Sequence, residues 1–153
     1  MAKVNLDAII PREDFEISGT QNSTNLFTSI SISSFTSGVF YPFLRKPDFQ
    51  RETNEWDGKK ISEFIESFIN GELIPAIILW RNNGGLYFVI DGAHRLSALI
   101  SWVNDDYGDG EISKKFYRGS INEEQLEIAE KTRKIINKRI GPYQDIINAP
   151  RID

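Results

Sequence analysis

The chain contains no cysteine and a single histidine, His94, among its 153 residues. The lack of cysteine excludes disulfides, thiolate nucleophiles and cysteine-bound zinc. A metal site built on two histidines is excluded as well, and a Ser-His-Asp triad would have to use His94. We therefore expect no zinc, and we also expect neither haem nor flavin.

Positive charge and long apolar runs are also scarce. Lysine and arginine number 18 against 22 acidic residues, which gives a net charge of −4. This balance argues against nucleic-acid binding driven by bulk charge, although it leaves room for a local basic groove. No apolar run approaches the ~20 residues that cross a bilayer, and the first residues do not resemble a signal peptide. We expect a cytoplasmic protein with no membrane partner.

Apolar residues are well represented, at 40% of the chain, with ten Phe, five Tyr and three Trp. A chain of this length and composition is typical of one globular domain, here residues 1–153. Residues 18–37 are an exception, since eleven of these twenty residues are Ser or Thr. Two interpretations stay open for them: a loop followed by a β-rich or short helical segment around 27–35, or disorder throughout.

Three helices are predicted, at residues 58–70, 94–104 and 120–140. The first has apolar residues at helical spacing, with Asp57 as a candidate N-cap and Gly71 as a candidate stop. The second has a similar apolar stripe, and the third has acidic residues in its first half and basic residues in its second.

The third helix also carries two local signals. Ser120 and Glu123 have the spacing of a capping box, which predicts the start of this helix. Lys131, Lys134 and Lys138 lie on one face of it. They are either a phosphate-binding face or, as is more common, a solvated helix end.

Strands are predicted on either side of the first helix. Residues 74–80 are apolar and β-branched, which predicts a buried strand, and residues 86–90 predict a second strand. The Asn-Gly-Gly turn at 83–85 joins the two into a hairpin. Residues 38–49 are aromatic but contain two prolines, which predicts an edge strand or an extended segment.

The candidate chemistry lies at a strand–turn–helix junction, residues 91–98. The first turn of a helix has free backbone N–H groups that bind phosphate, and Gly92 lets a ligand approach closely. Arg95 adds a planar fork for phosphate oxygens, and His94 adds a donor or a positive charge. Asp91 would bind a ribose hydroxyl, a base edge or a metal-bound water. The structural alternative is that Asp91 caps the helix while His94 and Arg95 face solvent.

A second polar feature lies in the segment PDFQRETNEW, residues 47–56. Arg51 would reach a phosphate, and Gln50 would recognise an amide-like group. The alternative is a polar edge strand with Trp56 packed on the core.

Taken in order, these motifs resemble the ParB/sulfiredoxin superfamily. The series is Pro-x-Phe-Gln-Arg with a later Trp, an amphipathic helix, Gly-x-x-Ile-Pro-x-Ile-x-Leu, and Asp-Gly-x-x-Arg-Leu-x-Ala-Leu, which together cover about residues 38–104. Within the superfamily the chain most resembles the DGQQR-type domain of the GmrS half of GmrSD-like type IV restriction systems. The resemblance implies an α+β fold with a small mixed β-sheet and flanking helices.

The resemblance also implies a function. ParB proteins bind and hydrolyse CTP, sulfiredoxins use ATP, and GmrS-type domains hydrolyse nucleoside triphosphates to license DNA cleavage. The expected ligand is a nucleoside triphosphate with Mg²⁺. The implied catalytic residues are Asp91, His94 and Arg95, and Asp91 is the implied metal ligand. The implied nucleotide-binding residues are Gln50, Arg51, Gly92, Ala93, Arg95, Leu96 and Ser97.

The chain departs from the family pattern at two positions. Ala93 and His94 replace the two glutamines of the DGQQR form, and Ala93 has no amide, which puts any base or phosphate contact made there in doubt. Ala93 also stands where sulfiredoxins have their catalytic cysteine, so sulfiredoxin chemistry is excluded. These departures allow a degenerate site.

Other interpretations stay open. Residues 10–15 also look like a proline–arginine box, but their distance from residue 91 fits less well than that of 47–51. A metal nuclease that needs two histidines is excluded, so DNA cleavage would come from a separate nuclease domain or subunit. Two alternatives remain: a DNA-binding or regulatory module without enzymatic activity, and a DNA nuclease subunit.

Overall fold

The computed structural model describes residues 1–15, 32–35, 40–73 and 75–148. Four short strands form one sheet in the order β1-β2-β4-β3. The β1–β2 and β2–β4 pairs are parallel, and the β3–β4 pair is antiparallel. The strands are β1 (Arg12–Glu13), β2 (Leu44–Pro47), β3 (Ile78–Arg81) and β4 (Tyr87–Asp91). Helices flank this small mixed sheet, so the predicted α+β class is confirmed.

The three predicted helices are confirmed, with shifts of a few residues at their ends. Two shorter helices, Glu111–Phe116 and Tyr143–Asn148, were not predicted. The helices are α1 (Gly58–Ile69), α2 (Ala93–Asn104), α3 (Glu111–Phe116), α4 (Glu123–Arg139) and α5 (Tyr143–Asn148), and two 3₁₀ turns cover Ile32–Phe35 and Tyr41–Phe43. None of the helices in the described ranges is both long and apolar enough to cross a membrane.

The caps of α1 and α4 differ in how well they were predicted. Asp57 caps α1 as expected, since its carboxylate accepts from the Lys60 N–H at 2.8 Å. The capping box predicted for α4 is wrong. Asn122 is the cap, and its side chain accepts from the Gln125 N–H at 2.8 Å. The N–H of Ser120 instead closes a turn that follows α3.

The predicted hairpin is confirmed, but its first strand is not buried. Strand β3 begins at Ile78, and 52% of the Ile78 surface is exposed. Leu73, just before this segment, is fully exposed. The reason is the position of β3 at the edge of the sheet, where one side has no neighbouring strand among the described residues.

The prediction of an edge strand within 38–49 is wrong, because β2 lies between β1 and β4. Its prolines do not break the ladder. Pro42 lies in a 3₁₀ turn before β2, and Pro47 is the last residue of the strand. Within 18–37, only the 3₁₀ turn at 32–35 falls in the described part of the chain, so the predictions for the rest lie outside it.

Helix α2 forms the centre of the core. Residues 96–103 are all buried. The apolar residues among them pack in one cluster with Ile61 and Ile65 of α1 and with Val89 of β4. A helix that is enclosed in this way has little freedom to shift, so the junction between β4 and α2 is held firmly.

Candidate functional site

The site is built where β4 ends at Asp91 and α2 begins at Ala93. Gly92 makes the turn between them with a φ of +101°, in the left-handed region that favours glycine. A Cβ at this position would lie 2.9 Å from Ile77 Cγ1 and 3.3 Å from Arg95 Nη2. Gly92, and not Asp91, is the N-cap residue, so the interpretation of Asp91 as the cap is wrong.

A cleft of about 490 Å³ opens beside this turn. It brings together seven of the nine residues that the sequence singles out. The lining residues are Gln50, Arg51, Glu55, Trp56, Lys60, Ile90, Asp91, Gly92, Ala93, His94 and Arg95. The two exceptions are Leu96 and Ser97, whose side chains are buried in the core and do not line the cleft.

Arg95 is fixed against one wall of the cleft. Its Nη2 donates to the Ala76 carbonyl at 2.8 Å and lies 3.6 Å from an Asp91 carboxylate oxygen. Its Nε is buried, and no acceptor for it exists in the described part of the chain. The Ala76 carbonyl and Asp91 therefore hold the guanidinium in place, while its unpartnered Nε is costly, and an anion bound beside it would relieve that cost.

His94 is fixed on the opposite side of the turn. Its Nε2 accepts from the Glu55 N–H at 3.2 Å, and its ring stacks on Trp56 with centroids 5.6 Å apart. Burial lowers the pKa of His94, the nearby charge of Glu55 opposes that shift, and Lys46 and Lys60 add to it. His94 is therefore a neutral imidazole whose proton is on Nδ1.

The two polar residues of the Phe-Gln-Arg segment are held very differently. Gln50 Nε2 donates to the carbonyls of Val89 at 2.7 Å and Ile90 at 3.0 Å. Its amide group thus ties the segment to the end of β4 and leaves only the oxygen for a ligand. The side chain of Arg51 is 89% exposed and lies 3.7 Å from Glu55, so it is free to turn toward a ligand.

Cations outnumber acids in the cleft. Arg51, Lys60 and Arg95 face Glu55 and Asp91. The Nζ of Lys60 lies 4.8 Å from the Trp56 ring centroid, as in a cation–π contact. The cleft is therefore locally basic in a chain whose net charge is −4.

Asp91 is the predicted metal ligand, and its side chain is 64% exposed in the cleft. Within the described ranges, no group of three or more histidine, aspartate or glutamate residues is arranged to hold a metal ion. One open carboxylate fits Mg²⁺ that is held mainly by phosphate oxygens, as is usual for this ion. Asp91 would supply the protein oxygen.

The sequence did not assign Glu55 or Lys60 to the site, and it placed Trp56 only in the core. Trp56 does pack on the core and on Phe64, but its ring also supports His94. A signal was present, because Glu55 and Trp56 lie between the Phe-Gln-Arg segment and the N-cap of α1, and Lys60 lies in the first turn of that helix. The loop between β2 and α1 is short, so residues near its end lie close to the residues of the Phe-Gln-Arg segment and line the same cleft.

Comparison with protein families places most of the chain in one family model. Residues 24–151 match the family model described as GmrSD restriction endonuclease, N-terminal domain. The matched span contains every residue that lines the cleft. No curated protein and no solved structure matches the chain.

Proposed function

Because the chain belongs to the family of GmrSD restriction endonuclease N-terminal domains, we propose that its cleft binds and hydrolyses a nucleoside triphosphate. The family membership makes the protein a component of a restriction, or phage-defence, system. Nucleotide hydrolysis is the finer step, and it rests on the chemistry of the cleft. DNA is the target of restriction, and its cleavage is proposed to come from a separate nuclease domain or subunit.

The open N-terminus of α2 carries the proposal. The first backbone N–H groups of a helix have no partner inside it, and the helix dipole adds positive potential there. No described side chain caps this end of α2. Arg95 lines the cleft at the same end, and its Nε has no partner among the described residues. The free N–H groups of the helix and the guanidinium of Arg95 therefore lie at the same place, which is an arrangement that binds phosphate.

Four cleft residues have a proposed part in holding the phosphates. The backbone at Gly92, Ala93 and Arg95 would hold phosphate oxygens, with Gly92 allowing their close approach. Arg51, which is loosely held, would close on the phosphates from the other side. These positions are the ones that the sequence resemblance implies, and Leu96 and Ser97 drop out of the proposal as side-chain ligands.

Hydrolysis would depend on positioning and on charge stabilisation, as is general for phosphoryl transfer. Mg²⁺ would neutralise part of the phosphate charge, with Asp91 as its protein ligand. Arg95 would stabilise the negative charge that develops on the transferred phosphoryl group. His94 is neutral, so its proposed contribution is a hydrogen bond from Nδ1 rather than a positive charge.

The test is phosphate release and nucleotide binding by the purified chain with ATP, GTP, CTP or UTP and Mg²⁺, with and without DNA. Arg95→Ala is expected to lower turnover by about 100-fold or more, which is typical when one preorganised donor is lost. Lys115→Ala is the control, because it also removes one positive charge but lies on α3, outside the cleft.

Equal nucleotide binding by wild type and Arg95→Ala would contradict the site. Binding without turnover would reduce the proposal to recognition, which is the regulatory alternative. No binding of any of the four nucleotides would overturn the proposal.

A further inference from the structure

A group of buried charges lies behind the cleft, outside its lining. Lys46 of β2 is fully buried. Its ammonium donates to the Asp7 carboxylate at 2.5 Å, to the Asp7 carbonyl at 3.0 Å and to the Thr53 hydroxyl at 3.1 Å. All three of its protons are therefore used, which is what a buried ammonium requires.

The carboxylate of Asp7 is the centre of this group. Besides Lys46, it accepts from Arg12 Nη2 at 3.0 Å and from the Thr53 N–H at 3.1 Å. Burial pushes the pKa of Asp7 up, but the hydrogen bond and charge of Lys46, the Thr53 N–H and Arg12 outweigh it and leave the pKa lowered. Asp7 therefore stays ionised, and it ties the loop after β2 to the N-terminal segment.

Arg12 extends this group to the cleft. Its second nitrogen, Nη1, donates to the Gln50 carbonyl at 2.5 Å. The side chain of Gln50 in turn donates to the carbonyls of Val89 and Ile90, directly before Asp91. A continuous series of hydrogen bonds therefore runs from Asp7 through Arg12 and Gln50 to the strand end that carries the site.

We propose that Arg12 is a positioning residue for the nucleotide site, which holds the cleft loop, residues 48–56, against β4 through the Gln50 carbonyl while Asp7 anchors it. This inference rests on the proposed function. Arg12 does not line the cleft, and it lies before the span matched by the family model, residues 24–151.

The inference also gives a role to the second proline–arginine box, residues 10–15. That segment is not placed to contact a phosphate. It forms β1 beside β2, and its arginine acts through Gln50 rather than on a ligand. Both boxes thus contribute to one site, with 47–51 at the cleft and 10–15 behind it.

The test compares Arg12→Met with Arg45→Met, at a temperature where both variants are folded. Arg45 is a matched control, because it also lies at a sheet strand and donates to backbone carbonyls, those of Pro42 and Leu44, but it does not line the cleft. Two quantities are measured: hydrogen exchange of the amides in residues 48–56, and affinity for ATP, GTP, CTP and UTP with Mg²⁺.

Arg12→Met is expected to speed exchange in the cleft loop and to weaken nucleotide binding about tenfold, since small misplacements of binding groups are expensive. Arg45→Met is expected to change neither quantity. Arg12→Lys keeps one charged donor but cannot reach Asp7 and Gln50 together, so it should recover only part of the affinity. It also serves as the test variant if Arg12→Met does not fold.

Two results would overturn the inference: unchanged loop exchange in a folded Arg12 variant, or faster exchange with unchanged nucleotide affinity. If wild type binds none of the four nucleotides, the proposed function fails. The exchange comparison then still decides whether Arg12 holds the loop.

Discussion

Two helices of this protein, α2 and α3, have a glycine as N-cap residue, but only one of them has its first N–H groups bound by a side chain from elsewhere in the described part of the chain. At α3 the N-cap is Gly110, and the buried carboxylate of Asp106 accepts from the Ser113 N–H at 2.8 Å. At α2 the N-cap is Gly92, and among the described residues no side chain fills the corresponding place. The N-terminus of α3, called the closed end below, is thus capped by a buried side chain. The N-terminus of α2, called the open end, faces the basic cleft.

The difference shows where the fold leaves room for an anion. The other long helices follow the closed pattern, since Asp57 caps α1 and Asn122 caps α4. All helix starts have the same free N–H groups, so an end without a cap in a cleft with arginine is the exception. In the proposed function, a phosphate group takes at α2 the place that Asp106 takes at α3.

Removing the internal carboxylate should have the largest effect. Asp106 also accepts from the Gly108 N–H and from the Ser113 hydroxyl. Asp106→Ala leaves these buried donors without a partner, which should lower the free energy of unfolding by about 3 kcal/mol or more. Urea unfolding measures this. Asp106→Asn is the control, because it keeps one oxygen acceptor and should lose less.

A loss below about 1 kcal/mol in Asp106→Ala would break the comparison, since the closed end would then not need its carboxylate. Nucleotide binding by the folded variant should stay close to that of wild type, because α3 does not line the cleft.

Closing the open end is the reverse experiment. Ala93 is the first residue of α2 and lines the cleft. A glutamate there is favourable for the helix by about 0.3–1 kcal/mol but repels phosphate. Ala93→Glu should therefore keep or raise stability and weaken nucleotide binding about tenfold or more. Ala93→Gln, of the same size without charge, should keep binding, and it restores the glutamine of the family pattern.

Thermal unfolding and nucleotide titration of the two Ala93 variants provide the measurement. Equal binding by the glutamate and glutamine variants would mean that no anion lies at this helix end.

The sequence predicted those parts of the site that are formed by residues close together in the chain. The junction of Gly92 and Arg95 was predicted because strand, turn and helix are consecutive in the sequence. The partners that fix it are distant: the Ala76 carbonyl for Arg95 and the Glu55 N–H for His94. Such contacts depend on the tertiary fold, which local patterns do not specify.

The closed end of α3 was missed for a related reason. The role of Asp106 depends on the chain folding back onto Ser113. The prediction that β2 lies at the sheet edge was wrong because proline is excluded only from the interior of a central strand. Pro47 is the last residue of β2, so it does not interrupt the ladder.

The last test concerns the neutral histidine at the open end. The pKa of His94 is lowered from 6.5 by burial, with Glu55 opposing and Lys46 and Lys60 adding to the shift. Protonation would also turn Nε2 into a donor facing the Glu55 N–H. The unfolded chain therefore binds the proton first, and the contribution of His94 to stability is full above the unfolded pKa and falls as pH drops through it.

We expect the free energy of unfolding of wild type to decrease between pH 7.5 and pH 5.5 more than that of His94→Gln, because glutamine does not titrate; urea unfolding at each pH measures the difference. This effect should be smaller than those predicted for the Asp106 and Ala93 variants, since His94 is partly exposed and solvent screens its charge. Parallel losses in wild type and variant would show that the imidazole is not held neutral at the open end.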